Sequence, residues 1–323
     1  MMRAIVQEPE SNRLIIGEAA APDPSYGELL IEVKATALNR ADLLQKRGFY
    51  PPPSGASPIL GLEMAGTVLE GAGSWKPGDR VMALLPGGGY AERVRIPVGM
   101  AMPIPKGLSF AEAAGIPEVF LTAYLNLFQL GGLQAGQTVL VHAGASGVGT
   151  AAIQLAKSAG CDVIATAGSA DKLDACLKLG ADATIDYKEG PFLPKVLEAT
   201  AGRGVDVIMD FVGASYWEQN LSALALDGKL IVIGLLGGAK ATEVNLSQLI
   251  ARRLQIIGTS LRTLPPDRKE ALTAEFKERF LPLFASGSIR PVIDSEWNWS
   301  QAEEAHAYME SNRNIGKIIL TIL

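Results

Sequence analysis

Two stretches of this chain carry residues whose types and spacing could do chemistry. The first is Gly144-Ala145-Ser146-Gly147-Val148-Gly149. A glycine turn between a strand and a helix presents backbone N–H groups and the positive end of the helix dipole, and together these make a seat for a pyrophosphate. Gly144 and Gly149 match the first and third glycines of a dinucleotide fingerprint. Ser146 stands in for the second and can itself donate to a phosphate or ribose, and Gly147 follows at once, leaving room for the phosphates. The second stretch is Asn39-Arg40-Ala41-Asp42, followed by Tyr50. An amide, a carboxylate and a phenol can orient an acceptor or move a proton.

The elements needed to position the glycine turn are legible around it. TVLVHAG (138–144) reads as an apolar strand. Val148, Ala151, Ala152, Leu155 and Ala159 then fall on one helical face, which is the context the fingerprint requires. The end of the next strand, DVIATAG (162–168), identifies the cofactor. An NAD site places Asp or Glu there to bond the ribose 2′-hydroxyl. Here Gly168 removes bulk, Ser169 can donate, and Lys172 follows about one helical turn on to pair with a 2′-phosphate. The nearest acid, Asp171, is expected to face solvent. NADPH is therefore expected over NADH. Ser169 can also serve as a helix N-cap, a role compatible with phosphate binding.

Composition narrows the classes. A chain of 323 residues suggests two domains. With 48% hydrophobic and 20% charged residues it can fill packed cores. A net charge of −5, with no long Lys/Arg run, disfavours a nucleic-acid partner. No apolar run approaches about 18 residues, and Glu8 and Glu10 interrupt the N-terminus before a signal-peptide core could form. A soluble cytoplasmic protein without a membrane partner is the expectation. Cys161 and Cys176 are the only cysteines. Cys176 shares a helix face with Leu173 and Leu177, and both thiols are expected to be buried and inert. His142 reads as strand-end packing. His306 is expected on the surface beside a Glu, since Ala302, Ala305 and Met309 form the core stripe of its helix.

The first ~120 residues break into short strand-like runs, 29–38, 64–71, 79–85 and 90–96, punctuated by Gly and Pro, as in a barrel-like β unit. PPPSGASP (51–58) reads as a rigid loop. A helix is expected over 119–132, closed by Gly131-Gly132. Strands at 183–186, 205–212, 229–235 and 254–260 then alternate with helices, so that a parallel sheet covered on both faces is expected. Leu272, Phe276, Phe280 and Leu283 mark a later helix. A final strand, 316–323, must find a sheet, and a return to the first domain supplies one.

ALNRADLLQKRGFY (37–50), ILGLEMAGTV (59–68), ALLPGGGYA (83–91), HAGASGVGTAAIQLAK (142–157) and NRNIGKIIL (312–320) give the chain its resemblance, over essentially its whole length, to the medium-chain dehydrogenase/reductase family. Within it the chain resembles the zinc-free quinone oxidoreductases related to zeta-crystallin, most closely the tumour-suppressor-inducible branch. The resemblance implies an α/β protein with a GroES-like β-barrel catalytic domain over 1–120 and 266–323. A Rossmann NADPH-binding domain, a doubly wound parallel sheet, is implied over 121–265. Zinc alcohol dehydrogenases of the family carry Gly-His-Glu where this chain has Gly61-Leu62-Glu63. Their first Cys ligand aligns with Asn39, and their third falls near GIPEVF (115–120), which has no Cys. Leucine ligates no metal, so no zinc is expected; residues 82–100 also lack the cysteines of a structural zinc lobe.

The resemblance also implies roles. Tyr50 lines the cleft for acceptor and nicotinamide; in enoyl-thioester reductases a Tyr in a similar context is the proton donor, its phenol having a pKa near ~10. Asn39 faces the acceptor or the nicotinamide ribose, and Asp42 orients Asn39 or caps a helix. Tyr187 covers the adenine or reaches the 2′-phosphate. Phe211, Val212 and Gly213, then Gly234, Leu235 and Leu236, then Thr259, Ser260 and Leu261 line the cofactor from successive strand ends. Asn314, Gly316 and Lys317 approach it from the C-terminal return, and Thr122 bonds a phosphate or caps the linking helix. An NADPH-dependent quinone oxidoreductase is the implied activity. The alternatives are an NADPH-dependent enone or enoyl-thioester reductase using Tyr50 as acid, and a non-catalytic NADPH-binding crystallin or redox sensor. LQIIGTSL (254–261) reads as an apolar edge strand whose pairing with a second copy would give a homodimer.

Overall fold

Apolar and polar residues alternate along the N-terminal third, and the chain folds there into short strands. The computed structural model describes residues 1–241 and 243–322; Leu323, the end of the strand expected at 316–323, lies outside them. β1 (Met2–Gln7) and β2 (Leu14–Ala19) form an antiparallel hairpin. β3 (Glu28–Ala37), α1 (Arg40–Lys46), β4 (Glu63–Glu70), β5 (Arg80–Leu84), β6 (Arg93–Pro97) and β7 (Met102–Pro103) follow. The proline stretch 51–58 contains no strand, because proline offers no N–H to a ladder. α2 (Phe110–Ala114) starts from a Ser109–Glu112 capping box, and α3 (Pro117–Tyr124) comes next.

Strands and helices then alternate: β8 (Thr138–Val141), α4 (Gly147–Ser158), β9 (Asp162–Ala167), α5 (Ala170–Lys178), β10 (Ala183–Asp186), α6 (Leu193–Ala199), β11 (Val205–Asp210), α7 (Trp217–Ala223), β12 (Leu224–Val232), α8 (Leu246–Arg252) and β13 (Gln255–Gly258). The six strands make one parallel sheet in the order β10-β9-β8-β11-β12-β13. This is the Rossmann order, reversing direction between β8 and β11, and ligands of such sheets bind at that point. Leu140, Ile208 and Leu230 in the core are fully buried, as strands covered on both faces require.

α9 (Pro266–Ser286), β14 (Ile293–Asn298), α10 (Ala302–Glu310) and β15 (Lys317–Thr321) return to the first sheet. Its strand order is β14-β15-β3-β4-β5-β7, with β6 also paired to β3. β15 runs antiparallel to β3, with Leu320 opposite Thr36. The chain thus divides into unit 1, Met1–Leu121 with Arg262–Leu323, and unit 2, Thr122–Leu261.

Three local expectations need correction. The helix expected over 119–132 begins at Pro117, and its second half, Leu125–Leu130, is a π-helical turn. There the Asn126 side-chain amide donates to the Thr122 carbonyl at 2.7 Å. The buried stripe of α9 ends in Phe284, not Leu283, because Leu272, Phe276 and Phe280 set a four-residue row that continues at 284. His306 is buried, 2% exposed. It lies four residues after Ala302 and three before Met309, and so shares their stripe. Replacing Phe276, fully buried against Phe280 and Phe284, by Ala is expected to cost about 3–5 kcal/mol, read from the urea midpoint of equilibrium unfolding.

Candidate functional site

In unit 2 the glycine turn follows β8 directly. A Cβ at Gly144 would lie 2.8 Å from Ala165 Cβ and 2.9 Å from Cys176 Sγ. A Cβ at Gly149 would lie 2.4 Å from the Ala143 carbonyl oxygen. These two glycines are therefore required for close packing of turn, strand and helix. Ser146 has φ −70° and ψ 166°, which any residue adopts, and is the N-cap of α4. Its Oγ accepts from the Gly149 N–H at 3.1 Å, and its own hydrogen remains available to donate. Thr150 N–H donates to the Ser146 carbonyl at 2.8 Å. The N–H groups of Gly147 and Val148 have no acceptor among the described residues. Two unpaired donors at the head of a twelve-residue helix fit a pyrophosphate.

At the end of β9, a Cβ on Gly168 would lie 2.5 Å from Tyr187 Oη. Glycine there makes room for the half-exposed Tyr187 ring, so these two predicted residues come together. Ser169 occupies the N-cap position of α5 with no side-chain cap bond, which leaves its exposed hydroxyl uncommitted. Lys172 is half-buried in the first turn, and Asp171 is exposed.

The loops after β11 and β12 form one platform. Leu236 N–H donates to the Phe211 carbonyl at 3.2 Å, and Gly237 N–H to that of Val212 at 2.7 Å. Gly213 has φ +82°, and its N–H is held by the Asp210 carboxylate. Gly234 packs against the Phe211 backbone, and Leu235 and Leu236 are 56% and 66% exposed. Thr259 N–H bonds the Val232 carbonyl at 3.1 Å, Ser260 is half-buried and Leu261 buried. Thr122 lies inside α3 and so cannot cap its N-terminus.

Unit 1 holds the second cluster, built around Glu63 at the start of β4. Glu63 Oε1 receives Lys317 Nζ at 2.8 Å and Asn39 Nδ2 at 2.9 Å. Glu63 Oε2 receives the Glu118 backbone N–H at 2.8 Å. Lys317 Nζ also donates to Asn39 Oδ1 and the Leu38 carbonyl, both at 2.7 Å. The ammonium therefore has its three protons committed to Glu63, Asn39 and the Leu38 carbonyl. Asn314 bonds the Gly316 carbonyl at 2.9 Å, and Gly316, at φ +81°, lies where a Cβ would be 2.2 Å from the Val292 carbonyl oxygen. Both shape the turn that delivers Lys317.

Asp42 is the N3 residue of the α1 capping box, its carboxylate turned back onto Asn39. It is fully buried, accepting from Asn39 N–H at 2.7 Å and Gly61 N–H at 3.1 Å. It positions Asn39 and touches no solvent from which an acceptor could come. Burial pushes its carboxyl up to about 6, opposed by those two N–H groups. Tyr90 Oη lies 3.4 Å from Asp42 and 3.0 Å from His306 Nε2, both partners buried. Burial holds His306 near 4, so it is a neutral packing partner. Glu118, at the start of α3, is pushed up to about 8 by burial first and then by Glu63.

Arg262 and Glu118 are site residues that sequence reasoning missed. The Arg262 guanidinium donates to the Tyr50 carbonyl at 3.2 Å, to Gln45 Oε1 at 2.7 Å and to the Pro86 carbonyl at 2.8 Å, and lies 4.9 Å over the Tyr50 ring. It fixes Tyr50 from two sides. Glu63 and Lys317 did leave a signal: each is a charged residue that opens a strand and is followed at once by apolar residues. Leu62, at the position where the zinc relatives have His, is buried in the apolar interior. Among the described residues no group of three or more His, Cys, Asp or Glu is arranged as a metal site.

Two family models match the chain: an alcohol dehydrogenase GroES-like domain over residues 25–106 and a zinc-binding dehydrogenase over residues 147–278. The synaptic vesicle membrane protein VAT-1 homolog of Homo sapiens is 34% identical, covering 94% of this chain and 81% of its own length. The quinone oxidoreductase of Rattus norvegicus is 30% identical, covering 94% and 92%. Among solved structures, an NAD-dependent alcohol dehydrogenase superposes over 100% of both chains with a TM-score of 0.88 at 32% identity. The mycobacterial protein Rv1454c, complexed with NADPH, gives 0.87 at 30% identity over 99% of this chain and 100% of its own. The CurK enoyl reductase gives 0.86 at 26% over 100% and 99%.

Removing one partner of a buried ion pair strands the other. Lys317→Met is expected to lose about 3–5 kcal/mol of stability, and adding Glu63→Gln to recover part of that loss. Simple additivity of the two in denaturant titrations would show that the pair is not coupled.

Proposed function

The chain belongs to the medium-chain dehydrogenase/reductase family, and from that premise we propose that it is an NADPH-dependent quinone oxidoreductase, transferring hydride to a quinone without zinc. The observation that carries this reading is the buried Lys317–Glu63–Asn39 cluster. Its polar groups satisfy one another where metal-using relatives place their first ligand. A quinone is already electron-poor and needs no Lewis acid to accept a hydride. The likeness to the rat quinone oxidoreductase supports the substrate class. NADPH is supported by the uncommitted Ser169 hydroxyl, by the half-buried Lys172 one turn on, and by the missing acid at the end of β9.

A nicotinamide cofactor would be held through the Gly147 and Val148 N–H groups, with Ser169, Lys172 and Tyr187 at its adenosine end. When bound it supplies the hydride. This chain's residues do the rest. The α4 dipole orients the pyrophosphate, the 211–213 and 234–236 platform offers apolar surface, and Arg262 keeps Tyr50 in one place.

A second reading, enone or enoyl-thioester reduction, is favoured by the immobilised Tyr50 and by the likeness to CurK enoyl reductase. One experiment separates the two: NADPH oxidation over quinones, enones and acyl-thioester alkenes, with wild type and Tyr50→Phe. Quinone turnover that survives within about threefold in the variant supports the first reading. Loss of roughly a hundredfold or more on enones marks Tyr50 as the acid of the second. We also propose a homodimer through β13, the terminal strand of its sheet, where Ile256 is 38% exposed. Light scattering at micromolar concentration is expected to return twice the chain mass, and a monomer mass would refute it.

A further inference from the structure

We propose that Glu118 is the proton donor to the reduced acceptor, a catalytic role that rests on the oxidoreductase reading above. Glu118 sits in the first turn of α3. Its backbone N–H and the Asn39 side-chain amide hang from the two oxygens of the same carboxylate, Glu63. One buried group therefore sets Glu118 and Asn39 side by side. Asn39, Glu63 and Lys317 satisfy one another, whereas the Glu118 carboxyl has no hydrogen-bond or ion-pair partner among the described residues. It is half-buried, closely surrounded by protein yet still reached by solvent. A carboxyl that held the fold together would have found a partner. One left open at the edge of a satisfied cluster is placed to meet a small molecule.

The charges around Glu118 come from every neighbouring element. They are Asp42 of α1, Glu63 of β4, Lys317 of β15, Lys269 of α9, and Arg262 just before α9. Lys317 is tied to Glu63, and Lys269 Nζ to the Arg262 carbonyl at 2.7 Å. Lost hydration and the Glu63 and Asp42 carboxylates therefore outweigh the cations, and Glu118 keeps its proton at neutral pH.

The chemistry balances. A quinone that takes up a hydride from reduced nicotinamide becomes a hydroquinone monoanion. The Glu118 O–H bond breaks, the proton forms a new O–H bond on the anion, and the electron pair stays on the carboxylate. Glu118 regains a proton from water before the next turnover.

Glu118→Gln tests this, since the amide mimics the neutral acid and leaves the fold intact. The first readout is stability without cofactor or acceptor. An ordinary Glu at 4.5 in the unfolded chain, raised to about 8 when folded, binds its proton more tightly in the native state. Stability then falls as pH rises from about 4.5 to about 8 and levels above. The variant lacks that loss, so its Tm should gain a few degrees over wild type across this window. The second readout is quinone turnover. Wild-type kcat should fall above about pH 8, while the variant should be about a hundredfold slower and insensitive to pH there. A constant Tm difference across the window overturns the proposal. So does variant turnover within about twofold of wild type with the same pH profile. Should wild type turn over an enone but no quinone, the quinone reading alone fails, and the same comparison on the enone decides for or against Glu118.

Discussion

The Lys317 ammonium and the Glu63 carboxylate lie 2.8 Å apart with almost no solvent contact, and the arrangement of unit 1 depends on that contact. A lone charge in such a place costs several kcal/mol. Each therefore requires the other, together with the hydrogen bonds that Asn39, Leu38 and Glu118 contribute. Lys317 opens β15, the last strand, and Glu63 opens β4. The two strands flank β3 on opposite sides. The ion pair thus fastens the C-terminal return to the N-terminal sheet at one point, directly beside the N-terminus of α1. The orientation of Asn39 follows from this: its oxygen faces the ammonium and its nitrogen the carboxylate, so the amide has one setting.

Charge placement extends outward from that pair in a graded way. Asp42 is sealed beneath Asn39 and serves backbone N–H groups. Tyr90 and neutral His306 fill the space behind it. Arg262 holds Tyr50 by its backbone carbonyl and its ring face. Glu118 keeps a carboxyl without a hydrogen-bond or ion-pair partner among the described residues, at the solvent side. Around the pair the buried side-chain polar atoms satisfy one another, His306 Nδ1 excepted, and that condition separates residues that hold the site from those able to act in it.

Unit 2 follows different physics. Its turn is shaped by steric limits: Gly144 and Gly149 exist because a Cβ would collide with Cys176 or with the turn's own carbonyls. Ser146 has replaced a glycine without strain, because its backbone is extended and its hydroxyl caps α4. The missing glycine is therefore a change of capping chemistry that leaves the two leading N–H groups of the helix open.

Much of this was legible in the chain itself. Short runs punctuated by Gly and Pro mark β3 to β6, continuous apolar runs the parallel sheet, and 142–157 the nucleotide turn. Each such signal is written in neighbouring residues, whose spacing and backbone preferences act over one or two turns or a strand pair. Where local signals compete, they mislead: 119–132 reads as one helix although it turns π-helical at Leu125, and His306 reads as a surface residue although it shares a buried stripe with Ala302 and Met309. The pairing of Lys317 with Glu63, the clamp of Arg262 on Tyr50, and the open carboxyl of Glu118 were not legible. They join residues some 55 to 250 positions apart, and the Lys317–Glu63 pair exists only because β15 and β4 both lie beside β3. The sequence by itself determined which elements form and that a dinucleotide turn is present. Only the tertiary structure decided which polar groups satisfy one another and which is left free to react, because a buried charge takes its state from partners that the fold brings to it.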